Sequence, residues 1–303
     1  MKRYLGRAVE SMKYRLFRMS FWKRVDDATY LKIRYRVLTG RTLNLDEPRT
    51  FNDKLNWLKI HDRNPVYHQM VDKYEVKQYV ADKIGAEYII PTLGVWDRFE
   101  DIDFNALPSQ FVLKCTHDSG GLVICKEKMT FDKEKAKTKI DSSIQRDFFY
   151  TNREWPYKEV APRIIAEKYM QEIGCSELRD YKFYCFNGIP QFLYVSEGMA
   201  NHATAKISFV NMDWTLAAFA RSDYLSYERL PPKPEHFEQM VSIAGQLSKG
   251  IPFLRVDLYE IGGRIYFGEL TFTPCGGMMP FDPPEADMKV GDLLSLPDQH
   301  SGL

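Results

Sequence analysis

The chain has 303 residues, 44% of them apolar and 27% charged, with 42 Lys and Arg against 41 Asp and Glu. This length and balance predict a folded globular protein of one or two domains with a good core. A net charge of +1 gives nucleic acid no electrostatic footing as the main partner.

The remaining bulk features are exclusions too. The cysteines, Cys115, Cys125, Cys175, Cys185 and Cys275, are odd in number and lack metal-ligand spacing. Reduced thiols in a cytoplasmic protein are the expectation. No stretch reaches the roughly twenty apolar residues of a membrane span, and the N-terminus lacks the apolar centre of a signal peptide. There is no internal repeat and no low-complexity segment.

Residues 1–24 carry Lys2, Arg3, Arg7, Lys13, Arg15, Arg18, Lys23 and Arg24 against the single acid Glu10. Leu5, Val9, Met12, Leu16 and Met19 recur at helical spacing, and Phe17, Phe21 and Trp22 add bulk. Such a basic amphipathic helix either lies in the headgroup region of an anionic membrane or docks on its own protein or another subunit. Helices are predicted over 28–38 and 50–61, completing a helical segment at 1–67. Asp72 is positioned to cap a further helix running to about Lys83, and Ile89 to Thr92 reads as a strand.

Residues 111–114 form a strand ending in Lys114. The loop 115–121 contains Ser119-Gly120-Gly121, and 122–125 is the return strand. Glycines let backbone N–H groups approach phosphates, and a lysine beside them supplies a point charge. A charged helix is expected over 130–146, then an aromatic stretch to Tyr157 and a buried strand ending in Glu167. Strands at 182–186, 191–196 and 205–211 precede a helix near 234–249.

The most informative segment is 253–277. Strands 253–259 and 264–270 flank a Gly262-Gly263 turn and read as a β-hairpin. Asp257 and Glu269 are brought together across it, about 5 Å apart. Like charges at that range repel unless a cation neutralises them, and Mg²⁺, which takes a few carboxylates plus water and phosphate, suits them.

This hairpin resembles the metal-binding hairpin of ATP-grasp enzymes. The family pattern of Arg-x-Asp followed by Glu-x-Asn is matched by Arg255 and Asp257, then Glu269 and Thr271, with Thr271 where the family usually has Asn. Lys73, Lys114 and the Ser119-Gly120-Gly121 loop resemble the phosphate-side lysines and covering loop. Glu167 with Lys168, Tyr169 and Met170 resembles the hinge that holds adenine. Asp180 falls at the ribose-binding acid, with Glu172 and Glu177 as rivals, and Lys182 near the phosphates, with Lys206 a further candidate. Residues 46–65, followed by the Asp72-Lys73-Tyr74 helix, narrow the resemblance to the TupA-like ATP-grasp family, over about 35–297.

The resemblance implies an α+β ATP-grasp fold: a helical segment at 1–67, a first nucleotide lobe at 68–166 and a second lobe at 167–303. It implies ATP and Mg²⁺ as cofactors. It also implies a carboxylate–amine ligase working through an acyl phosphate, which joins an amino acid or amine to a sugar carboxylate of a bacterial surface polysaccharide, the glycan free or lipid-linked. The enzyme would work in the cytoplasm, at the inner face of the membrane if residues 1–24 make that contact. Asp257, Glu269 and Thr271 would hold the metal. Arg255 and Lys114 would stabilise the transferring phosphoryl. Many ATP-grasp enzymes begin with a full α/β domain; here too few residues precede Lys73, so the helical segment and second lobe are expected to hold the acceptor. His117 is a candidate base by position. Two rivals stand beside the ligase: a metal-dependent glycosyltransferase using Asp101-Ile102-Asp103, and a non-catalytic nucleotide-binding scaffold.

Overall fold

The computed structural model describes residues 13–17, 19–172, 178–199 and 203–297. Glu177, Cys175, Arg18 and residues 1–12, and with them most of the basic N-terminal stretch, lie outside the described residues. The helices are α1 (Asp27–Thr39), α2 (Phe51–His61), α3 (Val66–Val71), α4 (Glu75–Ile84), α5 (Lys133–Ile144), α6 (Phe149–Asn152), α7 (Phe237–Ser248) and α8 (Ala286–Asp292). The strands are β1 (Thr92–Trp96), β2 (Phe111–Cys115), β3 (Leu122–Cys125), β4 (Ile164–Lys168), β5 (Asp180–Phe186), β6 (Ile189–Glu197), β7 (Lys206–Asn211), β8 (Ala220–Arg221), β9 (Phe253–Ile261), β10 (Arg264–Thr271) and β11 (Phe281–Asp282).

Two antiparallel sheets organise these elements into an α+β fold. The first has the order β1-β4-β2-β3, the second β10-β9-β5-β6-β7, and β8 pairs with β11 as a small ribbon. The expected strand at Ile89 starts later, at Thr92. The Ile90 carbonyl is taken by Lys77 Nζ at 2.6 Å, and Pro91 has no N–H to give a ladder.

Strand alternation gives the second sheet two different faces. Tyr181, Phe183, Val256 and Leu258 pack under α7 through Phe237, Met240 and Leu247, and against Val76 and Val80 of α4. Tyr184, Phe186, Phe192, Phe209 and Phe253 face the other way, against Tyr30, Phe51 and Leu55 of α1 and α2. Phe51 meets Phe253 edge-on at 5.0 Å. Each such buried side chain contributes about 1.5–3 kcal/mol, so the N-terminal helices are built into the second lobe. Phe17 and Trp22, expected as surface bulk, are buried beside Tyr30 with their rings 5.2 Å apart. Phe21 remains exposed. The first lobe has its own core, with Phe111, Leu113, Ile164 and Ala166 against Ala136 and Ile140 of α5.

Helix α2 begins with a capping box between Thr50 and Asp53. Three polar residues at its turns, Asn52, Asn56 and Lys59, are buried. Asn52 bonds both the carbonyl and the N–H of Met279, at 3.0 and 2.6 Å. Asn56 donates to Gly277 O at 2.8 Å and Lys59 to Gly276 O at 2.7 Å. This row of side chains holds the segment that follows the hairpin, where Cys275, Gly276 and Gly277 all have positive φ.

Candidate active site

The hairpin is built as its sequence predicts, with one feature the alternation alone would miss. Gly262 and Gly263 turn the chain with φ of 57° and 70°, the conformation a two-residue hairpin requires. Glu269 lies directly opposite Asp257, and Thr271 opposite Arg255, after a register shift between Phe267 and Glu269. Gly268 is the extra residue of this bulge. Without it Glu269 would share the face of Phe267 and point into the apolar core. A Cβ on Gly268 would lie 2.9 Å from Tyr259 Cε2 and 3.1 Å from Asp257 O, so the bulge needs glycine.

Asp257 is buried and accepts three charge-assisted hydrogen bonds. Arg255 donates from Nε to Oδ1 and from Nη2 to Oδ2, both at 2.7 Å, and Lys182 donates to Oδ2 at 2.5 Å. Burial by itself raises the Asp257 carboxyl pKa, but Arg255 and Lys182 together outweigh it and hold the group below its ordinary range. Arg255 Nη2 also donates to Thr271 Oγ1 at 2.9 Å and lies 3.7 Å from Glu269. Glu269 is the open carboxylate of the pair, its side chain 39% exposed.

The first lobe supplies the opposite wall. On β2 and β4, Lys114 and Glu167 share a face and meet at 2.5 Å. Lys77 of α4 also pairs with Glu167. Burial raises the Glu167 pKa, and the two lysines bring it below the ordinary value. Lys77 itself is lowered, by burial first, with Glu167 opposing. Lys73 bonds Asp118 O, and its backbone N–H bonds Thr116 O at 3.1 Å. The Asp118 carboxylate accepts from Gly121 N–H at 3.2 Å and from the Ser143 hydroxyl. The glycine loop is thus held from the turn before α4 on one side and from α5 on the other. A Cβ on Gly121 would lie 2.6 Å from Cys115 Sγ.

These groups surround two adjoining cavities. The smaller, of about 250 Å³, is lined by Lys73, Lys77, Lys114, Lys182, Glu167, Asp257, Glu269 and the loop Asp118 to Gly121, with Val71, Val76, Ile89, Ile90, Phe267 and Leu270 as its apolar wall. The larger, of about 800 Å³, is lined by Arg255, Thr271, Glu269 and Ser119 on the site side. Arg34, Tyr35 and Asn52 of the N-terminal helices and Thr273 to Met279 form much of the rest. Ser119 and Glu269 border both.

The donor set of the smaller cavity fits a polyphosphate. Four lysines face it, against the buried carboxylates of Asp118, Glu167 and Asp257 and the more open Glu269. An apolar wall beside the lysines suits a planar base. A divalent cation fits beside it on two carboxylates. Asp257 has about four acceptor sites and three are taken, while Glu269 is open. Among the described residues no group of three or more His, Cys, Asp and Glu could hold a metal ion. A magnesium ion would therefore take its other ligands from phosphate and water.

Other sequence candidates lie elsewhere. Lys168, Tyr169, Met170 and Asp180 line neither cavity; Asp180 pairs with Lys182 at 3.1 Å and accepts from Ser196. Glu172 accepts from Gly262 N–H at 2.8 Å. Lys206 is exposed and lies over the Tyr227 ring. His117 is buried with Nε2 3.2 Å from Arg146 O, and burial lowers its pKa. Asp101 sits on an exposed turn paired with Arg98 at 2.6 Å, and neither it nor Asp103 lines a cavity. Sequence reasoning missed Lys77, Asp118 and Arg34. For Lys77 a signal was present, since it lies in the first turn of the helix just after Lys73, four residues from it in sequence.

Comparison with known proteins gives the following. Among curated proteins none matches this chain. Solved structures similar to it include D-alanine–D-alanine ligase from Bacillus anthracis complexed with ATP (15% identity, TM-score 0.39, covering 67% of this chain and 55% of that one). A second structure of a Bacillus anthracis D-alanine–D-alanine ligase has 16% identity and a TM-score of 0.42, covering 80% of this chain and 67% of that one. The ATP-grasp ligase PsnB, complexed with a phosphomimetic variant of its minimal precursor, Mg and ADP, has 11% identity and a TM-score of 0.41, covering 79% and 63%. The chain thus spans between 55% and 67% of the length of these three solved proteins. The TupA-like ATPgrasp family model matches residues 53–295, most of the chain, and the protein belongs to that family.

Proposed function

We propose that the protein is an ATP-dependent carboxylate–amine ligase that joins an amino acid or amine to a sugar or uronic acid unit of a bacterial surface polysaccharide. The observation that carries the reading is the meeting of two cavities at Glu269 and Ser119, with Arg255 beside them on the larger one. One is rich in lysine and glycine backbone, the other wide enough for an acceptor. In this reading a carboxylate oxygen attacks the γ phosphorus of ATP and ADP leaves. An amine then attacks the acyl carbon, phosphate leaves, and the nitrogen loses a proton to give the amide.

Magnesium, held by Asp257 and Glu269 with Thr271 beside them, would supply charge neutralisation at the β and γ phosphates. The chain's own residues do the rest. Lys73, Lys114 and Lys182 balance phosphate charge, and the Ser119-Gly120-Gly121 backbone covers it. Glu167, gripped by Lys77 and Lys114, positions those lysines. Lys168, the last residue of β4, and Tyr169 and Met170 after it form the hinge expected to carry the adenine end, and Asp180 stands beside Lys182 for the ribose. Arg255 lies on the border of the acceptor cavity, where charge develops on the transferring phosphoryl. A protein held at the inner face of the membrane through its N-terminal basic segment completes the proposal.

The test is titration of the purified protein with a non-hydrolysable ATP analogue and Mg²⁺, then assay of phosphate release with paired carboxylates and amines. Mg²⁺-dependent analogue binding weakened at least about tenfold in Lys114→Ala, with phosphate release only when both acceptors are present, is the expected result. Binding of a nucleotide sugar with no analogue binding refutes it.

A further inference from the structure

The larger cavity contains a cation that the rest of the fold does not neutralise. Arg34 of α1 is only 4% exposed and lines this cavity. Its Nε has no partner, its Nη1 donates to the thioether of Met278 at 3.6 Å, and its other close polar neighbour is the neutral Tyr30 phenol. No carboxylate among the described residues pairs with it within 4 Å. Glu154 is the nearest acid to act on it, and that carboxylate is already engaged by Asn152 and Thr273. A guanidinium withdrawn from water with no carboxylate in contact, only Glu154 acting from beyond 4 Å, is unfavourable, and an oxyanion at its unpartnered Nε improves the balance.

The neighbouring arginines sharpen the point. Arg221 is paired with Asp223 at 2.7 Å, Arg255 with Asp257, and Arg41 lies 3.9 Å from Asp287. Arg146, on the same cavity, has no carboxylate within 4 Å among the described residues. Two cations thus face the chamber with no carboxylate within 4 Å among the described residues. The guanidinium fork matches the two oxygens of a carboxylate or phosphate.

We infer that Arg34, assisted by Arg146, receives a second oxyanion of the acceptor in the larger cavity, separate from the carboxylate that is activated beside Arg255 and Glu269. This rests on the ligase reading for the identity of the chamber. The substrate class it defines is a dianionic acceptor, either a glycosyl phosphate that also bears a carboxylate or a dicarboxylate such as an acidic amino acid.

The experiment uses the full chain saturated with ATP analogue and Mg²⁺, titrated with L-glutamate, glucuronate, glucuronic acid 1-phosphate and the uncharged methyl glucoside. Dianionic binding that falls about ten- to hundredfold in Arg34→Gln, with partial retention in Arg34→Lys, is expected. The ATP analogue should bind both variants as it binds the wild type. Preference for glutamate identifies a carboxylate source, and preference for the sugar phosphate a phosphate source. Equal affinity in wild type and Arg34→Gln, no dianion binding at millimolar concentration, or equal binding of methyl glucoside overturns the inference. Should Arg34→Gln melt early, Arg146→Gln, half-exposed at the cavity edge, provides the same comparison. Arg34-dependent dianion binding without any analogue binding would leave this site standing and remove the ATP reading. Analogue binding with no Arg34 dependence does the reverse.

Discussion

Replacing Asp257 by Asn tests two claims about the hairpin at once. The carboxylate is buried and accepts three charge-assisted hydrogen bonds from Arg255 and Lys182. Asparagine keeps the shape but loses the charge and turns an N–H₂ towards donors. Removing one partner of a buried ion pair costs about 3–5 kcal/mol. Asp180, 3.1 Å from Lys182, and Glu269, 3.7 Å from Arg255, soften the loss, so about 3 kcal/mol is expected. With an unfolding entropy of about 2.1 cal/mol/K per residue over 303 residues, that lowers Tm by about 5 °C. The assay is scanning calorimetry of both proteins from pH 7.5 to pH 3. The Asp257 pKa lies below its unfolded value, so its contribution is complete above about pH 4 and vanishes as pH falls through the folded value. The gap in Tm should close there. Glu269→Gln is the contrast: a half-exposed carboxylate with one long ion pair costs under about 1 kcal/mol, yet loses Mg²⁺-dependent analogue binding as Asp257→Asn does. A Tm change below about 2 °C for Asp257→Asn at pH 7.5 would refute the buried-pair account.

Three further outcomes follow from particular residues. Gly268→Ala pushes a methyl against Tyr259 and the Asp257 carbonyl, and should cost about 1–3 kcal/mol by denaturant unfolding while weakening Mg²⁺-dependent analogue binding; unchanged stability would mean the bulge relaxes freely. Burial pushes Lys59 down to about 7, whereas the unfolded chain holds that proton to about 10.4. Stability should therefore rise with pH between those values, more steeply in the wild type than in Lys59→Met, and parallel curves from chemical unfolding at pH 7 and pH 9 would contradict this. Tyr14, Leu16, Met19 and Phe21 are exposed among Lys13, Arg15, Lys23 and Arg24. The full chain should sediment with vesicles rich in anionic lipid, less so after Leu16→Glu with Phe21→Glu, and equal sedimentation of the variant would remove the membrane reading.

Much of the architecture was legible because it depends on local pattern. Alternation and the Gly262-Gly263 turn gave the hairpin, though the facing of Asp257 and Glu269 depends on the bulge, and the same rule gave the strands that carry Lys114 and Glu167 near their ends. Where the site depends on contacts far apart in sequence, pattern was silent. Nothing in residues 163–170 tells that Glu167 is gripped by Lys77, ninety residues earlier. Arg34 and Lys59 read as ordinary helix-surface cations, because their burial comes from the second sheet and the segment after the hairpin. The bulge escaped too: a lone Gly268 in a strand is compatible with several geometries, and the facing residues decide among them.

The grip of α2 on the segment after the hairpin has a further consequence. Asn52, Asn56 and Lys59 hold the backbone at Met279, Gly277 and Gly276 as fixed rungs, and Gly276 and Met279 line the larger cavity proposed for the acceptor. The phosphate-side groups belong to other elements. A small rotation or substitution in this helix would reshape the larger cavity while leaving the lysine-lined one alone, which in the proposed reading alters the acceptor and spares the nucleotide. Diversification of acceptors across such proteins then has an address: a single helix, some two hundred residues upstream of the reacting groups in sequence and one hydrogen bond from the chamber wall in space.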